Sequence, residues 1–227
     1  MKKYVNLQEK LFIKLEQDEF AESPREWDNI WDIYTWETDY RSPDKNPYPT
    51  FDHFLEDHFT EKQLSNLNKH RTSAREHFAA LEKYFGRLGY LIAPVNRYEH
   101  GAVFYGVGTG TGWDHGVVGI AMVSYDKLKY EYSSKKVTEE VKSRALACLR
   151  GELEEYTAWA NGEVYVACLM TFDGDCVDSL GGFYGYTMEE IVETYINFTQ
   201  YSFDDFQLID IDERVHRTYE VKDVIPA

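Results

Sequence analysis

Trp113-Asp114-His115-Gly116 is the segment whose residue types come closest to a catalytic arrangement. A carboxylate and an imidazole beside an indole, on a glycine-rich loop, can act as a general base and a recognition platform. Adjacent residues often point in different directions, however, and no nucleophile is near in sequence. Asp114 can equally brace the turn through its own backbone. Asp114 and His115 are therefore the catalytic candidates, and the sequence leaves open whether the chain is an enzyme.

The preceding segment, Gly106–Gly112, carries a glycine at every second position. A dinucleotide-binding loop needs G-x-G-x-x-G at the start of a helix, where backbone N–H groups meet the pyrophosphate. Here strand-like sequence follows, and no Lys-Ser/Thr pair completes a P-loop. We interpret the segment as a flexible connection between two strands. The alternative is a small-molecule or hydrolase site in which Gly106–Gly116 binds a nucleotide-like ligand and Trp113 stacks on its base.

Asp173, Asp175 and Asp178 are spaced closely enough to raise the question of a Mg²⁺ or Ca²⁺ loop. Their spacing lacks the glycine at position six and the glutamate at position twelve of an EF-hand. We interpret them as part of a solvated, glycine-rich loop. The histidines and cysteines show no metal-ligand spacing, so we expect neither a metal nor another cofactor. The aromatic stretch Phe183–Tyr186 suits either an exposed contact surface or packing over a sheet.

The strong acidity of the chain is its most informative functional feature. The 227 residues contain 24 Lys/Arg and 40 Asp/Glu, a net charge of −16. The charge is uneven: residues 1–60 have a net charge of −7, residues 61–150 of +5 and residues 151–227 of −14. Such a charge repels phosphates and anionic membranes, so we expect no direct binding to nucleic acids or membranes. It favours basic partners, although acidity can also serve solubility alone.

Three features predict a cytoplasmic location. The first residues lack the apolar run of a secretory signal peptide, and no segment approaches the roughly 18 apolar residues that span a bilayer. The three cysteines are odd in number and form no C-x-x-C pair, which is typical of a reducing compartment. We expect Cys148 and Cys168 to be buried structural thiols.

Hydrophobic periodicity predicts an α+β fold. A helix-start signal occurs at Ser23–Glu26, a long amphipathic helix runs from Thr60 to about Leu88, a second from Thr138 to Ala160, and a capping box at Thr187–Glu190 opens a third, shorter helix. Strands are predicted at Leu11–Leu15, 90–98, 102–107, 117–124 and 164–172, with a hairpin turn at Glu99–Gly101 and a short strand near Val215–Val221.

These elements predict one central, mostly antiparallel sheet of about five or six strands, packed with the two long helices and the third. The length suits a single domain, 1–227, in which residues 151–227 form a strongly acidic C-terminal third. Clusters of strands between helices favour this arrangement over a doubly wound parallel sheet.

Several motifs resemble a family of uncharacterised proteins found in bacteriophages and other mobile elements. They are Glu22–Asn29, Trp113-Asp114-x-Gly116-x-Val118-Gly119, Lys129–Tyr132, the second long helix, and Asp178-Ser179 before Gly182–Gly185. The chain departs from that pattern at Thr111-Gly112 and Leu180-Gly181, where similar sequences carry Cys-Pro and Cys-Trp. The resemblance therefore carries no thiol or metal chemistry over to this chain. It implies a mobile-element context and no established activity.

Charge and context together give the leading hypothesis, an anti-defence inhibitor that binds a basic, nucleic-acid-handling host protein such as a restriction or CRISPR effector. Its acidic C-terminal third would imitate the phosphate charge of DNA. The small-molecule site and an accessory or scaffold role are the alternatives, and the basic middle of the chain also allows a homodimer. The expected binding residues are Trp27, Trp113, Asp114, Asp178, Phe183, Tyr184, Tyr186, Asp204, Asp205, Asp210, Asp212 and Glu213.

Overall fold

Antiparallel strands and α-helices alternate in groups along this chain, as the predicted α+β class requires. The computed structural model describes residues 2–37, 41–69, 73–109 and 115–210. The chain divides into two compact units, one formed by residues 1–21 and 162–227 and the other by residues 22–161. Each unit has its own sheet and its own hydrophobic core. The expectation of a single domain over 1–227 stays a prediction.

The described residues form nine strands and six α-helices. The strands are β1 Lys2–Asn6, β2 Leu11–Gln17, β3 Asp32–Thr35, β4 Tyr90–Glu99, β5 Val103–Val107, β6 His115–Ser124, β7 Val164–Thr171, β8 Cys176–Tyr184 and β9 Gln207–Asp210. The helices are α1 Phe51–His58, α2 Glu61–Asn68, α3 Ala74–Leu88, α4 Tyr125–Glu131, α5 Glu139–Ala160 and α6 Met188–Ile196. Two 3-10 turns lie at Pro24–Glu26 and Phe203–Asp205.

The first unit is a five-stranded antiparallel sheet in the order β8-β7-β2-β1-β9. The predicted strand at Leu11–Leu15 is confirmed as β2. Alternate residues of β2 and β7 point to one face, because successive side chains of a strand lie on opposite sides. That face packs against α6 and the turn that follows it, through a core of Leu11, Ile13, Ala167, Leu169, Phe183, Ile191, Val192, Tyr195, Ile196 and Phe206.

The prediction of a glycine-rich loop after β7 is wrong for most of that segment. A short turn ends at Asp175, and residues 176–184 form strand β8 along the edge of the sheet. Two register shifts interrupt its pairing with β7. Most of β8 is exposed, so its sequence lacks the hydrophobic alternation by which a half-buried strand is recognised.

The second unit is a three-layer arrangement around a four-stranded antiparallel sheet in the order β3-β6-β4-β5. Ala121 and Val123 of β6 join the core under α4 and α5. Ile120 and Met122, which alternate with them, join the core under α1, α2 and α3. The hairpin turn predicted at Glu99–Gly101 is confirmed by the pairing of β4 with β5. The nine strands therefore belong to two sheets, whereas the sequence predicted one.

The prediction of two long helices and a shorter third is not confirmed, since the described residues form six α-helices. Helix α5 begins after the Thr138 cap and α6 after the Thr187 capping box, as predicted. The single helix predicted from Thr60 to Leu88 is wrong, since α2 ends at Asn68 and α3 starts after a second cap. There the Ser73 side chain accepts a hydrogen bond from the backbone N–H of Glu76, a stop-and-start signal that the continuous apolar periodicity concealed.

Helices α1 and α4 were not predicted, since each is a short segment of seven or eight residues. No helix among the described residues is both long and apolar enough to cross a membrane. The strand predicted near Val215–Val221 lies outside the described residues.

Candidate functional site

For six of the predicted site residues, the structure describes either nothing or the backbone alone. Trp113 and Asp114 are outside the described residues, as are Asp212 and Glu213. His115 begins β6 and Asp210 ends β9, and their side chains are likewise outside it. The roles proposed for these residues therefore stay predictions.

The aromatic stretch after β7 is divided between core and surface. Phe183 is buried in the core under α6, whereas Tyr186 is 46% exposed. Their ring centroids are 5.7 Å apart at an interplanar angle of 75°, an edge-to-face contact. Tyr184, between them, is half-buried. Of this stretch, Tyr186 is the residue with a large exposed aromatic face.

Asp178 is tied to the core side of the same unit. Its Oδ2 accepts a hydrogen bond from Tyr195 Oη at 3.1 Å, which joins edge strand β8 to α6. Burial, together with this carboxylate, raises the pKa of Tyr195 well above its ordinary value. Among the described residues, no group of three or more His, Cys, Asp or Glu side chains is arranged to hold a metal ion.

Five exposed carboxylates lie together in sequence and structure on α6 and the 3-10 turn that packs next to it. We call this set the acidic α6 surface: Glu189, Glu190, Glu193, Asp204 and Asp205. Asp204 and Asp205 were predicted as binding residues, and the three glutamates were not. Helix α6 turns Ile191 and Tyr195 inward to the core, so its charged positions face solvent.

Two members of the acidic α6 surface also have a structural role. Glu190 accepts hydrogen bonds from the backbone N–H and the hydroxyl of Thr187, and these bonds lower the pKa of Glu190. Asp205 accepts a bond from the backbone N–H of Ser202. Glu189, Glu193 and Asp204 make no such cap contacts, and their charge is available to a partner.

The acidic α6 surface has no nearby basic residue in sequence. Residues 151–213 contain 15 Asp/Glu and no Lys, Arg or His. Where the structure describes side chains, none of the five carboxylates forms an ion pair with a Lys or Arg. Residues 1–21 and 162–227 together have a net charge of −11, against −5 for residues 22–161. The unit that carries the surface therefore carries most of the negative charge.

The motif around Trp27 is held by a buried arginine. The side chain of Arg25 is only 4% exposed. Its Nε and Nη2 donate to the two carboxylate oxygens of Asp44, at 2.9 and 2.8 Å respectively. It also donates to Glu152 of α5 at 2.8 Å and to the carbonyl of Trp31 at 2.6 Å. The motif therefore serves mainly to connect the segment around Arg25 to Asp44 and to α5. Trp27 is 42% exposed and is the residue of the motif that offers a large aromatic side chain to solvent.

A cleft in the second unit was not predicted. It has a volume of about 300 Å³. We call it the Trp36 cleft, and its walls are the side chains of Trp36, Glu37, Phe51, Phe78, Val117 and Val118.

The backbone around the Trp36 cleft is fixed by the pairing of β3 with β6. A Cβ added to Gly119 would lie 2.1 Å from the carbonyl oxygen of Tyr34, so only glycine allows the two strands to approach this closely. Immediately after β3, the backbone N–H of Trp36 donates to the carbonyl of Val118 at 3.0 Å. The indole N–H of Trp36 donates to the carbonyl of Tyr48, also at 3.0 Å.

Glu37 belongs to a charged triad at the rim of the Trp36 cleft. Arg97 Nη1 lies 2.7 Å from Glu37 Oε2, and Arg97 Nη2 lies 2.8 Å from Glu99 Oε2. Burial alone would lower the pKa of Arg97. The carboxylates of Glu37 and Glu99 outweigh this effect, so the pKa of Arg97 is raised above its ordinary value. One guanidinium therefore pairs with two carboxylates at this point.

Sequence reasoning missed both Arg25 and the Trp36 cleft for the same reason. Arg25 meets Asp44 and Glu152 across 19 and 127 residues of chain, and Glu37 meets Arg97 across 60. Partners this far apart along the chain leave no recognisable spacing in a single sequence. The one available signal was an aromatic residue next to an acid, Trp36-Glu37.

No family model matches the chain, and no curated protein and no solved structure gives a significant match. The resemblance to a mobile-element family stays a prediction.

Proposed function

We propose that the chain is an anti-defence inhibitor of the phage type, which binds a basic, nucleic-acid-handling protein in the host cytoplasm through the acidic α6 surface. The partner would be a restriction enzyme or a CRISPR effector complex. The observation that carries the proposal is the run of residues 151–213, which has 15 acidic and no basic residues and places five carboxylates on one exposed layer. Among the side chains that the structure describes, no Lys or Arg forms an ion pair with any of the five.

The spacing of the carboxylates suits a DNA-like charge pattern. Glu189 and Glu193 are four residues apart in α6, which corresponds to about 6 Å along the helix axis. One strand of DNA rises about 3.4 Å per phosphate while it winds round the axis, so adjacent phosphates lie roughly 6–7 Å apart through space. Lys and Arg residues that hold two adjacent phosphates can therefore meet these two carboxylates.

The charge of the whole unit supports the encounter. A net charge of −11 around the surface raises the rate at which a basic channel is reached, and this steering weakens as salt screens it. Tyr186, in the same unit as this surface, is an exposed aromatic residue of the kind that anchors interfaces. It is a candidate contact in addition to the charges.

The test is a DNA-cleavage assay with purified restriction enzymes and CRISPR effector complexes. We expect inhibition of at least one of them, competition with DNA for the same site, and weaker binding as salt increases. The triple variant E189K/E193K/D204K reverses three carboxylates and leaves the capping residues Glu190 and Asp205 in place. We expect it to lose inhibition by at least 100-fold, since each ion pair to a basic channel contributes about 1 kcal/mol or more.

The matched control is E56K/E131K/E154K, which makes the same charge change with three exposed glutamates of the second unit. It should retain inhibition, because the position of the charge and not its total is what matters. A panel of effectors left uninhibited and unbound at low salt would refute the proposal, as would equal activity of the two triple variants.

A further variant separates the inhibitor from the alternative enzyme. D114A/H115A removes the catalytic candidates and leaves the acidic α6 surface intact. An inhibitor should be unaffected by it, whereas a hydrolase or nucleotide-binding protein that uses the Gly106–Gly116 loop should lose its activity.

A further inference from the structure

A basic groove lies along α3, in contrast to the acidity of the chain as a whole. It has a volume of about 590 Å³. We call it the basic α3 groove, and its walls include three cations, two alanines and a tyrosine: Lys69, Ala79, Ala80, Lys83, Tyr84 and Arg87. Glu76, two turns of helix before Lys83, also lines it. The groove therefore presents basic side chains around a floor of small residues and an aromatic ring.

The cations of the basic α3 groove have no carboxylate partner among the residues that the structure describes. Lys69 donates to the side-chain oxygen of Asn66 at 3.1 Å, and the guanidinium carbon of Arg87 lies 5.9 Å from the centre of the Tyr84 ring. No ion pair between described side chains includes Lys69, Lys83 or Arg87. All three are exposed, so their charge can meet acidic groups of another molecule.

The acidic α6 surface of the same chain matches this groove in charge and in spacing. Lys83 and Arg87 are four residues apart in α3, about 6 Å along the helix axis, and Glu189 and Glu193 have the same separation in α6. Two such helices laid side by side can form two ion pairs at once. Met188, 62% exposed at the start of α6, offers an apolar side chain to the alanine floor of the groove.

We propose that the basic α3 groove is the docking site for the acidic α6 surface of a second copy of this chain. The contact is head-to-tail, because the two surfaces belong to different units of the chain. In it, Glu189 and Glu193 of one copy pair with Lys83 and Arg87 of the other. Self-association of this kind needs no host protein, so its test is separate from that of the anti-defence function.

Salt decides whether two copies of such an acidic chain can meet. The net charge of −16 on each copy opposes their approach at long range. At physiological ionic strength the screening length is about 8 Å, so charges far from the contact are largely screened, whereas the ion pairs within it are closer together than that. We therefore expect association near physiological salt and its loss at about 1 M, where the screening length is about 3 Å.

Sedimentation equilibrium of the full-length protein measures the association. Near physiological salt we expect the weight-average mass to rise with concentration above the 26.6 kDa of one chain. The Kd should be on the order of 100 µM, since exposed ion pairs give weak contacts. A mass that stays at 26.6 kDa up to millimolar protein would overturn the proposal. This measurement uses the unmodified chain, so it does not depend on the folding of a variant.

Reversal of charge on either side locates the contact. K83E/R87E changes the groove, and E189K/E193K changes the acidic α6 surface while the capping residue Glu190 stays in place. Each variant alone should raise the Kd by about ten-fold or more, because like charges then face each other. The control K135E/K136E makes the same charge change as K83E/R87E at two exposed lysines between α4 and α5, and it should associate like the unmodified chain.

The decisive measurement combines the two reversals. A mixture of the K83E/R87E and E189K/E193K chains restores opposite charges across the contact, so we expect the two to associate with each other although neither associates well alone. A chain with all four substitutions keeps the net charge of −16 and should associate like the unmodified chain. Circular dichroism checks that each variant is folded. Failure of both recombinations in folded chains, or equal association of the K83E/R87E and K135E/K136E chains, would exclude this contact.

Discussion

Removal of the Arg25 side chain leaves Asp44 and Glu152 without their shared counter-charge in a largely buried position. The side chains of these acids are 19% and 8% exposed, and Arg25 contacts both of them. We expect R25A to lower the free energy of unfolding by about 3–5 kcal/mol, because a buried charge without its partner is costly. Urea denaturation followed by circular dichroism measures the change.

The geometry of the contact sets two comparisons for that experiment. R25K retains the charge and cannot reproduce the two-pronged contact with Asp44. Its free energy of unfolding should therefore lie between that of R25A and that of the unmodified chain. R87A removes an exposed arginine from α3 and should change the free energy of unfolding by less than about 1 kcal/mol. A stable R25A would show that the second unit does not depend on this ion pair.

The surroundings of Cys148 disfavour ionisation of its thiol. Partial burial and, after it, the carboxylate of Glu152 raise the pKa of Cys148 to about 11. At pH 8 about one such thiol in a thousand is ionised, against about a quarter for an ordinary thiol with a pKa of about 8.5. We expect iodoacetamide to label Cys148 at least 100-fold more slowly than exposed Cys176, as measured by mass spectrometry of the digested protein. Equal labelling rates in the folded protein would contradict the assignment.

At the level of elements, the sequence predicted those whose ends and faces carry local signals. Helix α5 has a threonine cap and an apolar face, and α6 has a capping box, so both were found with nearly correct bounds. Strand β8 was missed because it lies at an exposed sheet edge, where burial imposes no alternation. The break before α3 was missed because its apolar positions stay in phase with those of α2.

The edge strand β5 is protected by side chains of α5. Thr157 Oγ1 accepts a hydrogen bond from the backbone N–H of Tyr105 at 3.0 Å, and Asn161 both accepts from and donates to the backbone of Val103. The variant T157V has nearly the same shape and leaves the Tyr105 N–H buried without an acceptor. We expect a loss of about 1–3 kcal/mol in the free energy of unfolding.

A matched substitution tests whether the lost hydrogen bond is the cause. T194V makes the same change at a half-exposed position of α6 and should alter the free energy of unfolding by less than about 0.5 kcal/mol. Chemical denaturation of both variants gives the comparison. If T157V were as stable as T194V, the bond to Tyr105 would contribute nothing to the edge of the sheet.

For the whole molecule, charge was the property that the sequence conveyed best. Net charge is a sum over residues and needs no knowledge of contacts, so the acidic last third was evident at once. Its arrangement was not, because Glu189 and Glu193 reach solvent only through the orientation of α6 on its sheet. The Trp36 cleft depends on four separate segments of chain, which a single sequence does not bring together.

The excess of acidic groups also predicts how stability responds to pH. Partial burial raises the pKa of Asp32, Glu82 and Glu155, although each side chain retains an exposed edge. A carboxyl group with a raised pKa in the folded state opposes folding when ionised, and the cost disappears as pH falls through the folded value toward the unfolded one. The stability of the chain should therefore increase from pH 7.5 to about 5.5.

Solvent screens these partly exposed groups, so the summed effect should be small, a rise in Tm of roughly 2 °C. Differential scanning calorimetry at constant ionic strength measures it. The variant D32N/E82Q/E155Q removes the three ionisations and should abolish most of this rise in Tm. The control E56Q/E61Q/E131Q neutralises three exposed glutamates, none of which is among the causes of those raised pKa values, and should retain the rise. Below about pH 4.5, Tm should fall, because carboxylates that pair with cations become protonated. A Tm that decreases steadily from pH 7.5 to 5.5 would mean that paired carboxylates, and not the crowded ones, dominate the stability of this molecule.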